Sequence, residues 1–246
     1  MDKKNIEKIL YLKELGVEYL SKDIIYIYSD NKINKKEKKQ KFSQNKTINN
    51  NPIIKKGKRK EEFLEEIKKE VFSCKKCPLF ETKKNYVFGE GSINANIMFV
   101  GEAPGADEDI QGRPFVGKAG KKLTEMIHAM GYKREEIYIA NIVKCRPPGN
   151  ATPTPEIRKT CFPFLQKQIA IIKPKVIITM GNVATQTLLN TKQTITKIRG
   201  NFGFYQNIPV MPTYHPSYII RNYTINIRKQ SWSDLQKVMK YIDESN

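Results

Sequence analysis

The sequence lacks any apolar run near the roughly 20 residues that a helix needs to cross a bilayer. Its first residues, MDKKNIEKIL, also lack the apolar centre of a secretion signal. These two absences predict a cytoplasmic protein that does not associate with membranes. Cysteine is scarce as well, since the 246 residues include only four. In a reducing compartment, four cysteines are more often metal ligands or free thiols than disulfide partners.

Acidic residues are scarce in one segment. Residues 31 to 60 contain twelve Lys or Arg residues and one acid, Glu37, within a chain whose formal net charge is +19. Large apolar residues are few there, so burial cannot offset the entropy of ordering the segment. We expect a basic disordered linker at 29–60, between a small N-terminal element of unknown role at 1–28 and a catalytic domain at 61–246. The linker is either a solvated spacer or a tether that contacts DNA phosphates.

From residue 61, apolar runs alternate with amphipathic segments, which predicts a parallel sheet covered by helices on both faces. Ligands of such folds bind beyond the carboxyl ends of the strands. Pro163 predicts a break in the third helix, because an interior proline removes a backbone donor. The expected strands are 97–100, 137–140, 176–180 and 208–213, and the expected helices are 61–72, 118–130, 155–172, 182–189 and 231–242.

Chemically unusual residues follow the first two strands. GEAPGADED makes a tight turn whose amides can point at a ligand, and a structural loop has no need of the carboxylate of Glu102. Phe115, in GRPFVGKAG, is either a core residue or a stacking platform for a flat ring. Asn141 is either a turn former or a reader of a pyrimidine edge, because its amide both donates and accepts hydrogen bonds.

One of the two histidines, His215, follows the last strand. Pro216 shapes the turn there, and the imidazole can donate a hydrogen bond to developing negative charge. The neighbouring Ile219 and Ile220, beside Arg221, either pack in the core or form an apolar wedge that opens a base stack.

The four cysteines form two pairs along the chain. Cys74 and Cys77 are separated by two residues, and Cys145 and Cys161 by fifteen. Two pairs brought together in space suit a four-thiolate site, which zinc and a 4Fe-4S cluster share, and spacing does not choose between the metals. The alternative of four buried free thiols is disfavoured by the polar, lysine-rich surroundings of the first pair.

Residues 70 to 242 resemble the family 4 uracil-DNA glycosylases, the iron-sulfur-containing branch of the uracil-DNA glycosylase superfamily. The resemblance rests on GEAPGADED, GRPFVGKAG, NIVKCRPPGN, ITKIRG and YHPSYIIRN in this order, interleaved with the four cysteines. It implies a three-layer α/β/α sandwich with a central four-stranded parallel sheet. It also implies a monofunctional repair glycosylase that hydrolyses the N-glycosidic bond of deoxyuridine in single- or double-stranded DNA and leaves an abasic site.

The resemblance further implies a role for each motif residue. Glu102, with the backbone of Ala103 and Pro104, would hold the catalytic water and contact uracil. Phe115 would stack on the flipped base, Asn141 would read its edge, and His215 would stabilise the departing uracil anion. A structural 4Fe-4S cluster would be held by the four cysteines, Cys74, Cys77, Cys145 and Cys161. We expect a monomer that passes its abasic product to downstream repair enzymes.

Two rival activities fit the sequence less well. A single-strand DNA-binding module would use the basic linker, but it would give Glu102 and His215 no function. The superfamily branch that crosslinks itself to uracil-DNA has a basic, histidine-containing insertion, which is missing after Val143-Lys144. No lysine occupies a motif position from which its amine could attack the sugar, so we expect no lyase step.

Overall fold

The computed structural model of the protein describes residues 59–245. The N-terminal element expected at 1–28, and the linker expected at 29–60 as far as residue 58, lie outside the described residues. The first helix begins at Lys60, one residue before the expected start of the catalytic domain. Lys60 is joined to this domain, because its ammonium donates to the main-chain oxygens of Ile93 at 3.4 Å and Ile172 at 3.3 Å.

Nine α-helices and six strands are numbered here in chain order over the described residues. The helices are α1 Lys60–Phe72, α2 Leu79–Thr82, α3 Ala106–Gln111, α4 Lys118–Ala129, α5 Pro155–Ile172, α6 Asn182–Leu189, α7 Ile195–Ile198, α8 Pro216–Arg221 and α9 Ile225–Glu244. The strands are β1 Glu90–Gly91, β2 Ile97–Gly101, β3 Tyr138–Asn141, β4 Val176–Met180, β5 Gly203–Tyr205 and β6 Ile208–Thr213. Short 3-10 turns lie at Arg134–Glu136 and Pro148–Asn150.

The strands form one mixed sheet in the order β1-β3-β2-β4-β6-β5. The four central strands are parallel, with Val100 opposite both Ala140 of β3 and Thr179 of β4. The expected four-stranded parallel core is therefore confirmed. The edge strands β1 and β5 pair antiparallel and were not expected. They are only two and three residues long, too short to show an alternating pattern.

Alternate residues of each strand point to opposite faces of the sheet, and each face is covered by helices. In β2, Ile97 and Phe99 join one buried cluster, while Met98 and Val100 join the other. The first cluster includes apolar residues of α4 and α9, and the second includes those of α1, α5 and α6. This arrangement confirms the three-layer α/β/α sandwich.

Two of the five expected helices differ clearly from expectation, and the short helices α2, α3, α7 and α8 were not expected. The expected break at Pro163 is wrong, because α5 continues through this residue. Pro163 and Lys159, the residue whose carbonyl loses its amide donor, are both exposed, so water can take the place of the missing hydrogen bond. The last helix begins at Ile225 rather than near 231, and the Thr224 hydroxyl caps it by accepting from the Ile227 amide.

The parallel strands end together on one side of the sheet. Chain order reverses at β2, which has β3 on one flank and β4 on the other. A reversal of this kind leaves a crevice beyond the carboxyl ends of the strands, which is where α/β folds bind ligands. Between residues 59 and 245, no helix has the length and apolar character that crossing a membrane requires.

Candidate active site

A cleft of about 780 Å³ lies beyond the carboxyl ends of the four parallel strands. Its walls come from the loop after β2, the start of α4, the end of β3, the loop before α5, and the segments after β4 and β6. Every residue expected to bind uracil lines this cleft, although these residues are far apart in the sequence: Glu102, Ala103, Pro104, Phe115, Asn141 and His215.

Asn141 is the last residue of β3, and only 2% of its surface is exposed. Its side-chain oxygen Oδ1 is buried and has no hydrogen-bond partner within the described structure. An unpaired buried acceptor is costly unless a ligand supplies a donor. Gly101 makes room for this side chain, because a Cβ at that position would lie 2.4 Å from Oδ1 and 2.6 Å from Cζ of Phe115.

Phe115 is 6% exposed and has a φ of 51°, a left-handed conformation that is unusual for a bulky residue. Its ring lies 5.7 Å from the imidazole of His215, centroid to centroid, at an angle of 35°. The loop is held tightly against α4, because a Cβ at Gly120 would lie 1.9 Å from the Phe115 main-chain oxygen. The strained backbone therefore aims an aromatic ring into the cleft beside the histidine.

Glu108 joins the two loops that form this part of the cleft. One carboxylate oxygen accepts from the Gly105 amide at 3.1 Å, and the other accepts from the Val116 and Gly117 amides at 2.9 and 3.0 Å. Glu108 also lines the cleft. This role of Glu108 could not be predicted from GEAPGADED, because the two loops meet only in the folded chain.

His215 caps the N-terminus of α8 with its Nδ1 atom, which accepts from the Ser217 amide at 3.1 Å. Because Nδ1 is an acceptor, the proton of the neutral ring belongs on Nε2. Burial lowers the pKa of His215 to about 4, and the positive charge of Arg221 adds to this effect while Glu108 opposes it. At neutral pH the cleft therefore contains an uncharged imidazole with one N–H to donate.

Glu102 follows β2 directly and is partly buried. Burial raises the pKa of its carboxyl, while the positive charge of Arg158 and a hydrogen bond from Thr152 lower it. Arg158 and Thr152 also line the cleft. Neither residue was identified from the sequence, because a lone Arg on a helix and a lone Thr in a loop have no distinguishing pattern.

The expected wedge residues lie on α8 and differ in exposure. Ile219 is 2% exposed and belongs to the core cluster that contains Phe115, so packing is its role in this structure. Ile220 is 38% exposed, and Arg221 is exposed and lines the cleft. Of the three side chains, only those of Ile220 and Arg221 are exposed.

All four cysteines line one small cavity on the side of the sheet that α1 and α5 cover. All four are free thiols. Burial raises the pKa of two of them, to about 12 for Cys145 and about 11 for Cys161. In the part of the chain that the structure describes, no three His, Cys, Asp or Glu side chains are grouped so that they could hold one metal ion. The thiols therefore surround a common space without forming a compact single-ion site.

Comparison with known proteins identifies the class of protein to which this fold and this cleft belong. Residues 88–236 match the Uracil DNA glycosylase superfamily, to which the chain therefore belongs. It is 45% identical over 185 residues to the type-4 uracil-DNA glycosylase of Thermotoga maritima, a match that covers 74% of this chain and 96% of the relative. These values make the chain a member of the type-4 uracil-DNA glycosylase family, which confirms the resemblance stated from the motifs.

Two further relatives show similar identity. The chain is 43% identical over 185 residues to the type-4 uracil-DNA glycosylase of Archaeoglobus fulgidus, across 72% of this chain and 92% of the relative. It is 46% identical over 184 residues to that of Sulfurisphaera tokodaii, across 71% of this chain and 83% of the relative. In each case the chain matches most of the relative's length.

Proposed function

We propose that this cleft binds a uracil flipped out of DNA and that its residues divide recognition, leaving-group stabilisation and water activation among them. As a member of its family, the chain removes uracil from DNA by hydrolysing the N-glycosidic bond, the first step of base excision repair. The observation that most supports this use of the cleft is the unpaired Oδ1 atom of Asn141, buried beside an aromatic ring and a neutral histidine.

Recognition falls to Asn141 and Phe115. Uracil presents an N3–H donor next to an O4 acceptor, which the oxygen and nitrogen of the Asn141 amide match. Cytosine presents an acceptor and a donor in the reverse order, so it meets mismatched groups and is rejected. The Phe115 ring offers a flat apolar surface on which the extruded base can stack.

Stabilisation of the departing base falls to His215. Cleavage of the bond leaves negative charge on uracil, and the Nε2–H of the neutral imidazole donates toward that charge. The low pKa keeps the ring uncharged at neutral pH, so it stabilises the uracil anion by a hydrogen bond and not by a full positive charge. One such preorganised donor lowers the barrier by roughly 3 to 4 kcal/mol.

Water activation falls to Glu102, with the neighbouring backbone of Ala103 and Pro104. Positive charge develops on the sugar as the bond breaks, and a carboxylate held near the sugar stabilises it and orients the attacking water. Arg158 and the Thr152 hydroxyl favour the ionised form of Glu102 against the effect of burial. Burial remains the largest effect and raises the pKa of this carboxyl overall.

We infer that Cys74, Cys77, Cys145 and Cys161 hold a 4Fe-4S cluster. All four thiols line one cavity, and sulfur ligands favour zinc or an iron-sulfur centre. The choice of a cluster over zinc rests on the resemblance to the iron-sulfur family and not on the spacing of the thiols. When bound, the cluster would cross-link α5 and the two loops that contain the other cysteines, and it would take no part in hydrolysis.

Contact with the DNA strand falls to Ile220 and Arg221 on α8. The exposed apolar side chain can fill the space that the extruded nucleotide leaves, and the guanidinium can pair with a phosphate. We further infer that the protein is a cytoplasmic monomer, that it accepts uracil in single- or double-stranded DNA, and that other repair enzymes process its abasic product.

An oligonucleotide with one deoxyuridine tests the proposal. Treatment with the protein and then with hot alkali should break the strand at the uracil, while matched oligonucleotides with cytosine or thymine stay intact. His215→Asn should lower kcat by about 10²- to 10³-fold. His128→Asn, the change of the other histidine, is the matched control and should leave kcat unchanged. Full activity of the His215 variant would refute the role of the imidazole.

Iron and sulfide analysis tests the cluster separately. The purified protein should be brown and should contain about four irons and four sulfides per chain. A colourless protein with one zinc per chain would overturn the cluster and leave the cleft assignment unaffected.

A further inference from the structure

Lys144 is a charged residue with only 1% of its surface exposed. Its ammonium donates to the main-chain oxygen of Asn141 at 3.0 Å and to Oε1 of Gln168 at 2.7 Å. Both partners are neutral oxygens. Because burying an ammonium group is costly, a lysine in this position needs an explanation beyond packing.

The antiparallel pairing of β1 with β3 ends at Glu90, which lies opposite Ile139. If this register continued by two residues, Phe88 would lie opposite Asn141. Two side chains bridge Phe88 and Asn141, next to a main-chain bond from the Val87 amide to the Lys144 oxygen at 2.8 Å. Gln168, which is fully buried, donates its Nε2 to the Phe88 oxygen at 3.0 Å, and its Oε1 accepts from Lys144, which in turn donates to Asn141.

The Gln168 amide is held in one orientation. Its nitrogen donates both to a main-chain carbonyl, which can only accept, and to the Tyr138 hydroxyl at 3.0 Å. The oxygen of this amide must therefore face Lys144. Each group between Phe88 and Asn141 therefore has a fixed role as donor or acceptor. Turning the Gln168 amide over would break these hydrogen bonds.

We propose that Lys144 and Gln168 are positioning residues that hold the end of β3, and with it the Asn141 amide, in the geometry that reads uracil. The proposal rests on the uracil-binding function proposed above for the cleft. Asn141 Oδ1 has no protein partner among the described residues, so this atom does not anchor its own side chain. The direction of the side chain therefore depends on the position of the Asn141 main chain, whose oxygen accepts from the Lys144 ammonium.

Lys144 also contacts the cysteine-lined cavity. Its main-chain N–H donates to the sulfur of Cys161 at 3.3 Å, and Cys145 follows it directly. Lys144 thus contacts both the end of β3 and the cavity that the cysteines line.

Lys144→Met tests the proposal, because methionine keeps the side chain long and apolar but removes both donated hydrogen bonds. The inhibition constant of free uracil should rise by about tenfold or more, with a similar fall in kcat/KM. Affinity for an oligonucleotide with a tetrahydrofuran abasic-site analogue should not change, because that ligand has no base to read. Lys237→Met is the matched control, since Lys237 also donates to a main-chain oxygen, that of Gly200 at 2.7 Å, outside the cleft.

A double-mutant cycle separates positioning from general structural damage. If Lys144 acts through Asn141, Lys144→Met should have little further effect on kcat/KM in an Asn141→Ala background. Independent, additive effects of the two changes would overturn the proposal.

Gln168→Glu provides a second variant if Lys144→Met does not fold. It keeps the acceptor for Lys144 but loses the donor to Phe88, so the uracil inhibition constant should rise in the same direction. An unchanged constant would overturn the proposal. A wild-type protein that releases no uracil would refute the proposed function instead, so the two failures are distinguishable.

Discussion

At the scale of single residues, the site depends on groups that bind other parts of the protein rather than the base. Glu108 accepts three main-chain amides from two loops, one that follows Glu102 and one that follows Phe115. Hydrogen bonds to an ionised group are stronger than those between neutral groups. Its carboxylate therefore stabilises the relative position of the two loops that we propose bind the water and stack on the base.

Glu108→Gln should lower kcat/KM for uracil-DNA by about 10- to 100-fold, because the amide nitrogen cannot accept and one loop is released. Steady-state kinetics on a deoxyuridine oligonucleotide measure the effect. Glu136→Gln is the matched control, since the Glu136 carboxylate accepts the Lys133 amide at 2.5 Å at the start of a short turn outside the cleft. Equal losses in the two variants would contradict the role of Glu108.

The protonation of His215 gives a second prediction. Its pKa of about 4 in the folded protein lies below the ordinary value of 6.5. As the pH falls through this interval, the unfolded chain therefore binds a proton at His215 while the folded chain does not. The stability that the neutral ring contributes is complete above pH 6.5 and is lost between pH 6.5 and 4. In His215→Asn, the free energy of unfolding should fall less over this interval than in the wild type.

Nitrogen NMR of labelled protein checks the same residue directly. Between pH 5.5 and 8, the His215 ring should remain neutral with its proton on Nε2. Titration of this ring near pH 6.5 would contradict the assignment of a neutral donor.

At the scale of secondary-structure elements, the cleft depends on how closely α4 approaches the loop that contains Phe115. A Cβ at Gly120 would lie 1.9 Å from the Phe115 oxygen, a main-chain atom that cannot move independently of its loop. The glycine therefore determines where the aromatic ring lies.

Gly120→Ala should destabilise the protein by about 1 to 3 kcal/mol through overpacking and should lower uracil release at least tenfold by displacing Phe115. Denaturant unfolding and the alkali cleavage assay measure the two effects. Lys121→Ala, an exposed change at the next position of α4, should alter neither. If Gly120→Ala keeps both stability and activity, the packing of α4 does not position the ring.

The periodic elements could be predicted from the sequence, because their apolar pattern reflects burial on one face. The strands β4 and β6 and the helix α6 have the expected bounds, and α4 ends one residue earlier than expected. The expected break in α5 is wrong, because Pro163 lies on an exposed face, where water can donate to the carbonyl that has lost its amide partner. The edge strands could not be predicted, since their pairing depends on the neighbouring strand rather than on their own residues.

At the scale of the whole molecule, charge is unevenly divided between the described domain and the segment before it. Deleting residues 1–58 should leave uracil release intact, because the sheet, the cleft and Lys60 all lie within the described residues. The deletion should reduce the salt dependence of DNA binding, since each lost phosphate contact lowers the slope of log affinity against log salt by about 0.7 to 0.9.

Fluorescence anisotropy with the abasic-site analogue at several salt concentrations measures that slope. An unchanged slope would identify the basic segment as a solvated spacer. A loss of activity on the standard oligonucleotide would mean that the first 58 residues take part in catalysis.

The sequence alone determined which residue types follow each strand, and hence the candidates Glu102, Phe115, Asn141 and His215, because parallel strands deliver their carboxyl ends to one edge of the sheet. It also determined that the four cysteines lie in two pairs along the chain. Only the tertiary structure decided that Ile219 is buried, that Glu108 joins two loops, and that Lys144 and Gln168 support Asn141. The reason is physical: these roles depend on contacts between segments distant along the chain, and such contacts leave no local pattern.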